Sequence, residues 1–479
     1  MKQQLASVHQ GHADSPKRIL YDMSFTCVSG KISGIERVVR SLYAAGIAWQ
    51  QASTQQPSPL EFVPVFASDG RFYEYNERAQ VLLMPTVDFE RDCISSSPDW
   101  YRLIASSLCR VVRLPWLRRH LLPPAGHLGI FKTWHRKWKK NALANIAVGQ
   151  PPIEPNSDDI VWLPDAYWAQ PGVWSAADYA RQQGALVASL VYDLIPLRSG
   201  GTINPRFHRY LHQLLNTSHV ALCISDCERH QLQAFQAAYA AESSACRNFR
   251  TITLGCEIKH SQDKVRSQYE LPFELTSKFP SKRPSDDTDG LPVYLCVNTF
   301  DPRKNHALIL DAFDQLWAMG SNVRLCLVGR VGWQCNEILR RIAGHKLLNQ
   351  RLFVFHDATD AEVNYCYQRA RAVITASKDE GFGLPIVESL SRGRTTLASD
   401  IAIHREVGGQ SCHYFASTNP AELARLVQQC ESNQLPRSDS NCATVANRPK
   451  IQSWQQSFDQ CRQELEAAFR QRSTRRMAA

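Results

Sequence analysis

The chain has 479 residues, enough at roughly 150 residues per domain for two to four domains with sizeable buried cores. Its composition is globular, 44% hydrophobic and 21% charged with non-periodic Gly and Pro, which excludes collagen-like, fully disordered and small disulfide-scaffold classes. Lys and Arg number 55 against 45 Asp and Glu, and this net +10 points to a polyanionic partner without saying where the charge sits.

The tail 1–17 is polar and rich in His and Gln, with no apolar segment of a signal peptide, and no run of 18 apolar residues follows. Arg18 to Asp22 reads as a strand, the Gly-bearing loop Ser29 to Gly34 follows, and Ile35 to about Ala48 has helical periodicity. Glu61 to Phe66, Ile160 to Leu163, Ala185 to Tyr192, Val220 to Ile224 and Arg250 to Leu254 supply further strands of a first block, 18–273. A segment rich in Ser, Pro, Lys and Asp, 274–290, reads as a linker.

The alternation restarts in a second block, 291–435. Its strands are Pro292 to Val297, Val323 to Val328, Leu352 to Phe355, Ala372 to Ala376 and Thr395 to Ser399, with helices at Asn305 to Trp317 and Asn336 to Ala343. A C-terminal segment, 436–479, carries a last helix from Ile451 to about Arg470. Strands alternating with helices predict an α/β class of two Rossmann-like, doubly wound lobes facing each other across a cleft, with ligands outside the carboxyl ends of the strands.

An insertion at about 98–150 interrupts the first block. Between Trp100 and Lys140 it holds ten Lys and Arg, four Trp and no acid, so the remaining chain has 45 basic and 45 acidic residues. Leu103, Ile104, Leu108, Val111 and Val112 form a helical stripe with Arg102, Arg110 and Arg113 opposite. Basic amphipathic helices with interfacial Trp bind anionic membrane surfaces; the other reading packs the stripe on the first lobe and leaves the cations solvated. No zinc spacing, RNA-recognition signature or helix-turn-helix pattern supports a nucleic-acid partner. The 15 Cys are odd in number and lack a C-x-x-C pair, and Cys223, Cys296 and Cys326 lie in apolar runs, which predicts reduced thiols and a cytoplasmic location.

The strongest motif is Ala376 to Glu388. Gly381 and Gly383 permit a tight turn after a strand, Pro385 suits a helix start, and the amides of Gly381, Phe382, Gly383 and Leu384 form an anion site at a helix N-terminus. Glu380 precedes the loop and Glu388 falls in the first helical turn, carboxylates suited to sugar or ribose hydroxyls. Asp301-Pro-Arg-Lys-Asn305 ends another strand of this block, so Arg303 and Lys304 can supply charge to a diphosphate. The one D-x-D, Asp287-Thr-Asp289, lies in the linker, and no metal site is expected.

At these residues, and at Leu327 to Trp333, Gly393, Ser399-Asp400 and Glu406-Val-Gly408, the chain resembles the retaining family 4 (group 1) glycosyltransferases of the GT-B fold. Ser33 to Val39, Val191 to Pro196 and Cys223-Ile-Ser225 resemble that family's acceptor-lobe motifs, with the likeness greatest to mannosyltransferases. The resemblance implies a nucleotide-sugar donor, GDP-mannose first, with Glu388 on the ribose, Arg303 and Lys304 on the diphosphate, and Glu380 on the transferred sugar. Gly329, Arg330, Asp357 and Ala358 would lie near the base and Gly34 over the diphosphate, while the last helix would return to the first lobe.

Tyr192 stands where a His often precedes Asp193, which leaves Asp193 as either a polar contact in catalysis or a cap at a strand end; Thr395 stands where Pro is common. The implied reaction retains configuration without a metal and uses a lipid-linked or polysaccharide acceptor in bacterial surface-glycan assembly, at the inner face of the cytoplasmic membrane. A nucleotide-sugar epimerase and a non-enzymatic basic module remain as alternatives. A hydrolase is disfavoured because it needs no diphosphate clamp.

Overall fold

The computed structural model describes residues 15–29, 34–53, 60–76, 79, 129–169, 172–198, 204–239, 245–256, 291–356, 358–435 and 451–478. The first sheet contains β1 (Arg18–Asp22), β2 (Glu61–Ser68), β3 (Arg71–Glu74), β4 (Asp159–Leu163), β5 (Leu186–Val191), β6 (Val220–Cys223) and β7 (Asn248–Thr251), in the order β3-β2-β1-β4-β5-β6-β7. The second contains β8 (Val293–Val297), β9 (Arg324–Val328), β10 (Leu352–Phe355), β11 (Ala372–Thr375), β12 (Thr395–Ser399) and β13 (His413–Phe415), in the order β10-β9-β8-β11-β12-β13. Central strands such as β4, β5 and β11 are buried along their whole length, as strands covered by helices on both faces must be. The predicted α/β class of two Rossmann-like lobes is thus present.

Strand order reverses between β1 and β4 in the first sheet and between β8 and β11 in the second. A ligand of a doubly wound sheet sits outside the carboxyl ends at that reversal. Two strands were not legible in the periodicity. The edge strand β3 pairs antiparallel with β2 through Asp69 and Gly70, both at positive φ, so the Asp-Gly hairpin signal was there to be read. Strand β13 has three residues, too few for a period.

The first lobe carries helices α1 (Ser24–Ser29), α2 (Gly34–Ser53), α3 (Gly129–Val148), α4 (Val173–Gln182), α5 (Ile195–Arg198), α6 (Pro205–Thr217) and α7 (Asp226–Tyr239). The second carries α8 (His306–Ala318), α9 (Asn336–Ala343), α10 (Asp360–Arg369), α11 (Leu384–Ser391), α12 (Ala402–Gly408) and α13 (Pro420–Glu431). The last helix, α14 (Trp454–Ala478), leaves the second lobe and packs on the first, where Phe458, Cys461, Leu465 and Phe469 join a buried cluster with Leu42, Phe62 and Trp162. The approach depends on Gly255, where a β-carbon would lie 2.6 Å from the Cα of Trp454.

Of the basic insertion, α3 is described and residues 80–128 are not, so the stripe from Leu103 to Val112 lies outside the described residues, as do the linker 274–290 and the tail 1–14. Leu143 and Ala147 of α3 are buried in the first lobe's core. Lys139 is buried with them at 3% exposure, which corrects its placement among solvated or membrane-facing cations. The twelve described cysteines are free thiols, and among the described residues no helix is long and apolar enough to cross a membrane.

Phe458 is fully buried, 5.4 Å from Phe62 and 6.0 Å from Trp49 between ring centroids. Phe458→Ala is expected to cost about 3–5 kcal/mol through the lost contacts and the cavity left behind, read as a lower urea midpoint. An unchanged midpoint would show that α14 adds nothing to the first lobe's core.

Candidate functional site

The site is built from two loops at the reversal of the second sheet. After β8, Asp301 caps a short 3-10 turn by accepting from the Arg303 amide at 2.8 Å, with Pro302 at the first turn position. After β11, residues 376–383 lead to α11, whose N-cap is Gly383 at φ +95, a left-handed conformation that favours glycine. The amide of Lys378 donates to the carbonyl of Arg303 at 2.8 Å and ties the loops together.

Glu380 is 9% exposed; it accepts from the Ser377 hydroxyl at 2.8 Å and pairs with the Lys304 ammonium. Burial pushes its carboxyl upward, but Lys304, His404 and the Ser377 hydrogen bond together outweigh burial and hold it below the usual range. It is therefore ionised at neutral pH beside a cation and a helix N-terminus. Arg303 lies against the same loop, with its guanidinium 3.3 Å from the Asp301 carboxylate and 3.5 Å from the Asp379 carbonyl.

Glu388 is the fifth residue of α11, in its second turn, because the helix starts only at Leu384; the expected first-turn position is corrected accordingly. Its two oxygens are held by Arg37 of α2 at 2.6 Å and by the Tyr367 hydroxyl at 2.8 Å. Neither partner was singled out in the sequence, although Arg37 stands three residues after Gly34 in a segment already noted.

The first lobe closes onto this loop. Gly381 lies so near it that a β-carbon there would sit 2.5 Å from the Tyr192 carbonyl oxygen and 2.9 Å from the Asp193 β-carbon. Asp193 thereby faces the loop; burial raises its carboxyl, against the opposing charges of Arg303 and Arg198. Its Oδ1 also accepts from the Ile195 amide at 3.3 Å, so the cap and the site contact coexist. Arg198 grips Asp379 through two 2.7 Å bonds, and Glu406 accepts from the Asp226 and Cys227 amides at the start of α7, at 2.8 and 3.0 Å. Neither contact is legible in local pattern, since each joins residues about 180 positions apart.

Phe382 turns its ring into the core shared by both lobes, and Leu384 packs against that core, so their backbone amides are what they offer the site. His404 lies beneath Gly383, fully buried, with Nδ1 3.0 Å from the Ser399 carbonyl. Further along the second sheet, Gly329 approaches the Asn298 carbonyl so closely that a β-carbon would be 1.9 Å from its oxygen. Arg330 beside it is exposed and Ala358 is half-buried, while Asp357 lies outside the described residues. Gly34 opens α2, with nothing within 4 Å of a β-carbon built on it. Among the described residues no three His, Cys, Asp or Glu converge as a metal site.

Residues 278–447 match the family model for glycosyl transferases group 1. The second lobe is a group 1 glycosyltransferase domain. Over 305 residues the chain is 29% identical to the serotype-specific mannosyltransferase WbdA of Escherichia coli, which covers 60% of this chain and 36% of that protein. Over 119 residues it is 32% identical to the O-antigen chain mannosyltransferase B of Escherichia coli, covering 24% of this chain and 31% of the relative. The chain thus spans about a third of the length of the curated relatives it matches. A crystal structure of Anabaena Alr3699/HepE in complex with UDP and glucose superimposes with a TM-score of 0.54 at 14% identity, over 94% of this chain and 100% of that one. That likeness shows the two-lobed GT-B fold of the glycosyltransferase domain and its partner lobe.

Gly381→Ala is expected to push the lobes apart, because its β-carbon meets a backbone carbonyl that cannot rotate away. Hydrogen exchange should rise at residues 192–198 and 226–229, whereas Gly34→Ala, with open space around it, should leave both segments protected.

Proposed function

We propose that the chain is a retaining glycosyltransferase that moves mannose from GDP-mannose to a hydroxyl of a lipid-linked or polysaccharide acceptor in bacterial surface-glycan assembly. The observation that carries this reading is the ionised Glu380 set between Lys304 and the N-terminus of α11, at the strand-order reversal of a group 1 glycosyltransferase domain. Names of the relatives, mannosyltransferases of O-antigen chains or of a serotype, favour mannose and a surface glycan.

In this scheme the bond from the anomeric carbon to the diphosphate breaks and one to the acceptor oxygen forms on the same face, while the acceptor hydroxyl gives its proton to an oxygen of the departing diphosphate. Arg303, Lys304 and the Gly381 to Leu384 amides balance the charge gathering on the leaving diphosphate, a role that calls on no metal. Glu380 accepts from hydroxyls of the transferred sugar, and Asp193 encloses that sugar from the first lobe. Glu388 takes the ribose, held in position by Arg37 and Tyr367. Gly34 covers the diphosphate, and Gly329, Arg330, Asp357 and Ala358 border the base.

A thermal-shift panel of nucleotide sugars and nucleoside diphosphates tests the donor. GDP and GDP-mannose should raise the melting temperature, Glu388→Ala should abolish the rise, and Lys304→Ala should cut turnover roughly 10²–10³-fold. Indifference to every nucleotide would sink the transferase, and an epimerised sugar nucleotide formed without acceptor would replace it with the epimerase.

We also infer a peripheral position on the inner face of the cytoplasmic membrane, through the basic insertion Trp100 to Lys140. Nine of that segment's ten cations, buried Lys139 excepted, and its four Trp support it, as does α3, where Trp138 is 48% exposed beside an exposed Lys140. Replacing Arg118, Arg119, Lys137 and Lys140 by Gln, with buried Lys139 left alone, should remove about 1 kcal/mol of membrane attraction per cation and release the protein from phosphatidylglycerol vesicles. Unchanged co-sedimentation would rule out an electrostatic anchor.

A further inference from the structure

Three described arginines present the edge formed by Nε and Nη2 to both oxygens of a carboxylate: Arg18 to Asp159 at 2.9 and 2.6 Å, Arg198 to Asp379 at 2.7 and 2.7 Å, and Arg405 to Asp400 at 2.7 and 2.7 Å. Arg40 of α2 has the same edge buried, and neither nitrogen has a hydrogen-bond partner. Arg250, Arg324, Arg394 and Arg462 leave Nε alone unsatisfied, so among the described residues a whole buried fork without an acceptor sets Arg40 apart. A guanidinium fork is charged, and burying it without an acceptor costs more than leaving one neutral N–H unmade.

A second cation lies beside it. Lys139 of α3 is 3% exposed, and burial followed by the charge of Arg40 lowers its ammonium to about 8. The other groups close enough to act on Arg40 by charge are Cys27, Tyr75, Glu36 and Asp165. Asp165 turns its oxygens to the amides of Thr26 and Ala166, at 2.6 and 2.8 Å, and burial pushes its carboxyl up to about 7. Both of its oxygens are thus engaged by backbone amides, and it makes no hydrogen bond to the fork.

We propose that Arg40 and Lys139 form an anion site inside the first lobe that takes a phosphoryl group. The fork matches two oxygens of a planar or tetrahedral anion, and the second cation favours a dianion over a carboxylate. Its position suits a ligand. Cys27 lies in α1, which follows β1, and Asp165 follows β4, so the cluster sits at the strand-order reversal of the first sheet. One turn earlier on α2, Arg37 reaches Glu388 of the second lobe, which places the site on the side facing the glycosyltransferase domain. A lipid diphosphate and a free phosphate share this chemistry; only the choice between them rests on the proposed acceptor.

The test is calorimetry on the full chain carrying Lys304→Ala, which weakens the diphosphate clamp of the second lobe, with inorganic pyrophosphate and farnesyl diphosphate as probes. Both are expected to bind, and Arg40→Gln to weaken both by roughly 10- to 100-fold, the loss of a charge-assisted pair. Lys139→Met should weaken them in the same direction. Tighter binding of farnesyl diphosphate would assign a lipid headgroup, and equal binding a free anion. Without ligand, Arg40→Gln should melt no lower than its parent, since the fork it removes is unpaired. Absence of binding, or affinities unmoved by Arg40→Gln, would overturn the site. No nucleotide or sugar enters the experiment, so a chain that ignores every nucleotide can still pass it and one that binds GDP can still fail.

Discussion

A carbonyl oxygen at Tyr192 stands where any β-carbon on residue 381 would have to go. Much of the site depends on that one close approach. It brings the carboxyl ends of the two sheets together, sets Asp193 against the loop that carries Glu380, and lets Phe382, Ile386 and Val387 share a buried cluster with Tyr192 and Ile224 across the lobes. The polar contacts between lobes, Arg37 with Glu388, Arg198 with Asp379 and Glu406 with the start of α7, all lie around that point.

The same closure governs the electrostatics. A buried carboxylate is costly unless opposed, and Glu380 is opposed by Lys304, a hydroxyl and a helix N-terminus together. The result is a site whose charges are already arranged rather than recruited from solvent. Such preorganisation is what stabilising a departing anion requires, because no reorganisation is then needed as charge develops. Asp193 is the contrasting case. Its carboxyl rises with burial, so two carboxyl groups facing one loop are driven in opposite directions by their surroundings.

Charge in the first lobe follows another logic. The surplus of +10 belongs by count to the segment from Trp100 to Lys140, yet one of those ten cations is turned inward. Lys139 shares the interior with Arg40 rather than facing solvent, and Leu143 and Ala147 of the same helix pack into the core. The insertion therefore has at least one helix that belongs to the lobe, whatever its remaining cations meet.

Local pattern carried the fold class and the two site loops. Apolar runs of five or six residues separated by helical periods can hardly be anything but strands of a covered parallel sheet, and Glu380 to Glu388 and Asp301 to Asn305 are contiguous, so their chemistry is written in neighbouring residues. Edge strand β3 was legible in principle through Asp69-Gly70, while the three residues of β13 carry no period. What the tertiary structure alone decided is everything that depends on distance between remote positions: which glycine is a lobe contact, that Arg37 holds Glu388, that Arg198 and Glu406 bridge the lobes, and that Lys139 points inward. Sequence periodicity records which face of an element is apolar. It does not record what stands opposite that face, and that is what sets the partners of buried charges.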